Sequence, residues 1–140
     1  MENIQEGIFL SIKPRFVEAI VNGIKNHEFR KYKPKSPVTH FWVYTSAPIS
    51  CLEYLVTTSQ PVEYPNQISK PGLGNLEFDN GLKSSIYAFP INSVYKINPQ
   101  IPLDKLRQFG FTPPQSFSYT KNQANLIEYI HLNTNLTQIL

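Results

Sequence analysis

The chain has 140 residues, 41% of them apolar and 16% charged, and carries a net charge of +3, which suits one globular domain with a real core and excludes a disordered segment. Cys51 is the only cysteine, which excludes an intrachain disulfide and a cysteine-built zinc cluster. The opening Met-Glu-Asn-Ile-Gln-Glu lacks the basic-then-apolar pattern of a secretory signal, and no apolar run approaches the ~18 residues of a membrane span, so a cytoplasmic protein without membrane attachment is expected.

Residues 7–12 are apolar and β-branched, as in a buried strand. Pro14 suits the first turn of a helix, where a missing N–H costs nothing. Phe16, Val17, Ile20 and Ile24 recur at helical spacing and predict one inward face. Gly23 is placed to end that helix in the left-handed conformation. Residues 25–32 return to an extended run, with Glu28 and Arg30 on one face and His27 on the other as a surface histidine. Prolines 34 and 37 make residues 33–37 a turn, and residues 40–44 are the clearest strand, aromatic and β-branched. Residues 45–50 form a loop, and a strand is expected from about Glu53, continuing brokenly past Pro61 to Tyr64.

Residues 65–83, with Pro65, Pro71, Gly72, Gly74 and Gly81, read as a surface excursion holding a short helix over 76–82. Residues 85–97 form a strand interrupted at Pro90, and residues 98–102 turn the chain. A short helix over 103–109 stops at Gly110, a proline-stiffened loop spans 112–117, and a terminal helix over 119–132 points Leu126, Ile127 and Ile130 inward. The last eight residues carry no clear element. Five strands, short helices and twelve prolines argue against a doubly wound α/β sheet. They predict a single α+β domain over 1–140, a small mixed β-barrel with helices against its ends.

Charge is distributed unevenly. Between Lys13 and Lys35 stand seven Lys or Arg against two acids, Glu18 and Glu28, whereas the rest is close to neutral. Lys13 and Arg15 flank a helix N-terminus, whose N–H groups and partial positive charge favour anions. Lys25 and Arg30 stand on the following strand beside Glu28, and Arg30 can hold an anion with two parallel bonds. The alternative is that Glu28 pairs with Lys25 or Arg30 in a structural ion network. Tyr32, Trp42, Tyr44, Phe117 and Tyr119 are candidates for stacking on bases, although aromatics in a barrel are mostly core, Trp42 above all. Tyr44 precedes the Thr45–Ser46 loop, and Gln115 and Ser116 sit on the stiff loop where polar groups are well presented. Lys31, Lys33 and Lys35 form a solvated basic edge that would extend a phosphate track. Cys51 reads as a small buried residue. Glu77 and Asp79 lack metal-ligand spacing, so no metal and no cofactor are expected.

Leu10-Ser-Ile-Lys-Pro14, a helix, and then Asn22-Gly-Ile-Lys25-x-x-Glu28-x-Arg30 resemble the ASCH domain family of the PUA-like β-barrel superfamily. Its hallmark is a glycine, a lysine and a charged or hydroxyl residue followed by arginine after the first helix. Trp42-Val-Tyr44-Thr-Ser-Ala-Pro48, Gly72-x-Gly74-Asn-x-Glu-Phe78, Tyr87-Ala88 and Pro114-Gln115-Ser116-Phe117 are similar to a subgroup of small stand-alone members. The resemblance covers residues 7 to about 119 and leaves 120–140 as a C-terminal helix and tail.

It implies a PUA-like barrel of five to six strands with peripheral short helices, and a cleft between the first helix and the lysine–arginine strand. RNA or a modified nucleotide is the implied partner, in a regulatory role, with Lys13, Arg15, Lys25, Glu28, Arg30, Tyr44, Gln115, Ser116 and Phe117 as the binding residues. Some members hydrolyse acetylated cytidine with a lysine, a threonine and a glutamate, and ribonuclease activity is known in others. Lys25 matches the catalytic lysine, but Glu28 stands where the threonine falls, so that triad is not reproduced. The alternative is a small hydrolase of a modified nucleoside or RNA, with Lys25 and Glu28 as its catalytic groups. A weaker third is a protein-interaction domain without ligand chemistry.

Overall fold

The computed structural model describes residues 7–140, so the hexapeptide read for a secretory signal lies outside the described residues. Strand β1 (Ile8–Ile12) pairs in parallel with β3 (His40–Thr45), Ile8 opposite Phe41 and Ile12 opposite Thr45. A parallel pair requires a crossover. Helix α1 (Pro14–Val21) and strand β2 (His27–Arg30) provide it. Pro14 opens α1, Val17 and Ile20 are buried, and Gly23 turns the chain at φ 77°. Because the helix ends at Val21, Ile24 lies past the glycine turn and is 58% exposed rather than inward.

β3 pairs antiparallel with β4 (Cys51–Thr58), with a register shift between Val43 and Tyr44. β4 in turn pairs with β6 (Tyr87–Pro102), the sixteen-residue strand that ties the sheet together. Tyr87 and Ala88 of β6 carry β2 on one edge and the two-residue β5 (Val62–Glu63) on the other. Farther along, Tyr95 and Lys96 carry β4 on one edge and β8 (Asn135–Gln138) on the other. Strand β7 (Ser118–Tyr119) closes the order β2-β6-β4-β3-β1-β7 by pairing with β1. The result is a mixed sheet curled into a half-barrel with short helices, an α+β architecture. Among the described residues, no helix is long and apolar enough to cross a membrane.

Both faces of the sheet are covered. Ile8, Leu10 and Ile12 pack with Val17 and Ile20 of α1 on one side. Phe9 joins Trp42, Tyr44 and Leu52 on the other, under Leu106 of α3 (Leu103–Arg107) and Leu126, Ile127 and Ile130 of α4 (Ala124–Asn133). Burial on both faces explains why β1 and β3 read as nearly continuous apolar runs rather than alternating ones. Helix α2 (Asn75–Asp79) stands on the excursion.

Four expectations are corrected. Among the described residues the sheet holds eight strands, two of them only two residues long, where five to six were expected. Pro90 does not interrupt β6, where it lies opposite His27 and its carbonyl accepts a bond from Thr58 Oγ1. Residues 98–102 continue that strand instead of turning, with Ile101 opposite Leu52 and Pro102 opposite Cys51. The C-terminal helix begins later than residue 119, after a 3-10 turn at Thr120–Gln123, and the tail beyond it forms β8.

Candidate functional site

Period-two alternation on β2 puts Glu28 and Arg30 on one face. Arg30 donates through Nε to Glu28 Oε2 at 2.9 Å, with Nη2 at the same distance from that oxygen. Lys25 Nζ lies 3.4 Å from Glu28 Oε1 and donates to the His27 carbonyl at 2.8 Å. One carboxylate therefore balances two cations, and Lys25 and Glu28 are 6% and 7% exposed. Burial pushes the Lys25 ammonium below the ordinary lysine range, while the Glu28 charge opposes the shift. Arg30 also donates to the carbonyls of Ser11 and Ser116, each at 3.2 Å. It thereby joins β2, β1 and the 112–117 loop, and its role is architectural as well as electrostatic.

The cleft beside this network has a volume of about 470 Å³. Ser11, Lys13, Phe16, Lys25 and Glu28 line its inner side. Its outer wall is the excursion after β5, which contributes Leu73, Gly74, Glu77 and Lys83. Phe29 lies between the two sides, its ring centroid 4.5 Å from Lys25 Nζ and 4.6 Å from Lys83 Nζ, both at cation–π distance. The excursion is pinned to the strand by asparagines. Asn75 Nδ2 donates to Asn26 Oδ1 at 2.9 Å, Asn26 Nδ2 donates to the Pro71 carbonyl at 3.0 Å, and the Leu73 N–H donates to the Ile24 carbonyl.

That covering buries His27, which was expected at the surface and is 3% exposed. Its Nδ1 lies 2.8 Å from Asn26 Oδ1. Desolvation, followed by the nearby charges of Lys70 and Lys25, lowers its pKa to about 4.

The sequence-derived residues divide into three groups. Lys13, Lys25 and Glu28 meet in the cleft, and Arg30 braces it from behind. Arg15 is exposed beside it with its guanidinium 4.7 Å from the Phe16 ring centroid. Of the 112–117 loop, Ser116 reaches the network through its carbonyl, Gln115 is exposed, and Phe117 packs edge-on against Tyr119 at 5.6 Å. Tyr44 lies elsewhere. Its ring is 3% exposed and packs against Phe111 in the core under α3 and α4, as Trp42 does nearby. Phe29 and Lys83 enter the cleft without having been singled out in the sequence, and Glu77 had been weighed there only as a metal ligand. The Gly72-x-Gly74-Asn-x-Glu-Phe78 motif was the only signal that the excursion belonged to a site.

Solved structures share the fold that carries this cleft. The crystal structure of ASCH from Zymomonas mobilis matches with a TM-score of 0.68 at 22% identity, over 94% of this chain and 97% of that one. A tyrosine-to-phenylalanine mutant of the same protein matches with a TM-score of 0.64 at 22% identity, over 93% and 99%. The chain has the ASCH fold. A scan against protein-family models finds no match, and a search of curated proteins finds none either.

Proposed function

We propose that the chain binds RNA or a nucleotide in the cleft between α1, β2 and the excursion. The observation that carries this reading is the pair of lysines without an acidic partner. Glu28 is already shared by Lys25 and Arg30, whereas among the described residues Lys13 and Lys83 have no carboxylate within ion-pair distance. Two such cations at one cleft suit a phosphate. The remaining lining suits a nucleoside. Phe16 and Phe29 offer apolar rings, and Glu28 can accept from a base amino group. Among the described residues the buried Ser11 Oγ has no hydrogen-bond partner, and it can meet a polar edge. The volume of about 470 Å³ lies within the range of small-ligand sites.

A hydrolytic reading is favoured by one observation, the lowered pKa of Lys25. A buried amine that loses its proton more readily serves better as a base. Such an enzyme would act on a modified nucleoside or RNA with Lys25 and Glu28 as reacting groups.

Thermal shift and calorimetric titration with nucleosides, mononucleotides and short RNAs test the binding reading. A ligand of the folded state raises the melting temperature, and the Lys13→Ala/Lys83→Ala variant is expected to weaken binding at least tenfold while unfolding at the same temperature as the wild type. If no nucleotide or RNA shifts the wild-type transition, the binding reading fails. Release of acetate from acetylcytidine, or RNA cleavage, that disappears in Lys25→Ala would establish the hydrolytic one.

A further inference from the structure

Beyond the cleft, the chain runs Arg30-Lys31-Tyr32-Lys33-Pro34-Lys35, and how this segment is held is unusual. Pro34 is buried, and the Lys35 N–H donates to the Tyr119 hydroxyl at 3.2 Å. Lys33 Nζ lies 5.4 Å from the ring centroid of Tyr87, the residue paired with Arg30 across β2 and β6. The segment is therefore held at Pro34 and at the Lys35 N–H, while Lys31, Tyr32, Lys33 and Lys35 are exposed. Tyr32 is 64% exposed, and among the described residues its ring and hydroxyl have no partner. A fixed loop that leaves its aromatic ring outward between lysines has the chemistry of a stacking platform on a phosphate track.

The track ends in a second hollow. A groove of about 370 Å³ lies between residues 33–39 and residues 58–61, lined by Lys33, Lys35, Ser36, Thr39, Ser59 and Gln60. Prolines, Val38 and Phe89 also line it, and the lining holds two cations and no carboxylate. Tyr32 is two residues from Arg30, so at about 3.5 Å per residue its backbone lies within ~7 Å of the cleft's bracing arginine.

We infer that the nucleic-acid site is bipartite and takes single-stranded RNA, with one nucleotide in the cleft, the next base on Tyr32, and the following phosphates along Lys33 and Lys35 into the groove. This inference rests on the cleft reading above and deepens it by naming the ligand as an oligonucleotide rather than a free nucleotide. Charge complementarity selects a polyanion, because every charged side chain of the track and groove is cationic, and the outward Tyr32 ring favours an unpaired strand whose bases can stack.

Calorimetric titration of the full chain with oligoadenylates of one, two and four residues tests it. Affinity is expected to rise at least tenfold from the mononucleotide to the tetranucleotide. Tyr32→Ala is expected to weaken the tetranucleotide on the order of tenfold, the usual worth of one stacked base. The mononucleotide affinity should not move, and Tyr32→Phe should restore the tetranucleotide. Lys33→Ala/Lys35→Ala is expected to behave like Tyr32→Ala. Equal affinity for all three lengths, or variants that weaken mononucleotide and tetranucleotide alike, overturns the bipartite site and leaves the cleft reading standing. Failure of every length to bind overturns both.

Discussion

His27 shows how a single side chain can couple the cleft to pH. The imidazole is buried against the Asn26 amide, and its carbonyl accepts from Lys25, so it sits one bond behind the cleft lysine. Its folded pKa of about 4 lies below the unfolded value near 6.5. Between those pH values the unfolded chain binds a proton that the folded chain refuses. Stability is therefore full above about pH 6.5 and is lost progressively as pH falls toward 4. Urea unfolding at pH 7, 5 and 4 should show that loss in the wild type and a smaller one in His27→Gln. Parallel pH profiles would show that the imidazole is not the sensor. Alternation along β2 correctly assigned His27 to the face opposite Glu28. Its burial was illegible, because the cover comes from a segment some 45 residues later, held by the Asn26–Asn75 bond.

At the scale of elements, the excursion after β5 decides whether the cleft has an outer wall. Gly74 precedes α2 at φ 83°, a left-handed conformation, and a Cβ there would stand 2.8 Å from Phe29 Cε2 and 3.0 Å from Lys83 Cε. Gly23 has a similar φ of 77°, but a Cβ there would meet nothing within 4 Å. The two glycines therefore separate backbone strain from cleft geometry. Both Gly→Ala variants should lose about 1 kcal/mol to the left-handed conformation, seen as a drop of a few degrees in Tm. Only Gly74→Ala should also weaken nucleotide binding in titration, by about tenfold, because Phe29 and Lys83 must move. Equal binding by both variants would show that the wall is not part of the site. The β1–α1–β2 unit was legible because each of its signals is local: apolar runs, Pro14, helical spacing and Gly23. The continuation of β6 through residues 98–102 and the pairing of β8 were not, because they depend on partners distant in sequence. Asn135 to Gln138 becomes a strand by lying along Tyr95 to Asn98, and nothing in its polar composition announces that. Tyr44 was misjudged for a related reason: the loop that follows it is exposed, but its own ring faces α3 and α4.

For the whole molecule, the question is whether binding follows from a modest net charge of +3 or from where the cations stand. The two accounts differ in their response to salt. A phosphate contact to single-stranded nucleic acid lowers the slope of log K against log salt by about 0.7. With Lys13 and Lys83 at the cleft and Lys33 and Lys35 at the groove, about three to four contacts predict a slope near −2 to −3 for a short single strand. Removing one contacting lysine should make that slope shallower by about 0.7, as in Lys83→Ala. Lys105 is the matched control, since it carries the same charge but lies against Phe109 and Tyr129 on the α3–α4 side. A general charge effect would make Lys105→Ala and Lys83→Ala equivalent, because each lowers the net charge by one. A localised site makes Lys105→Ala indistinguishable from the wild type. Fluorescence anisotropy of a labelled tetranucleotide across a salt series decides between them, and equal slopes for the two variants would reduce the basic stretch to a solubilising surface.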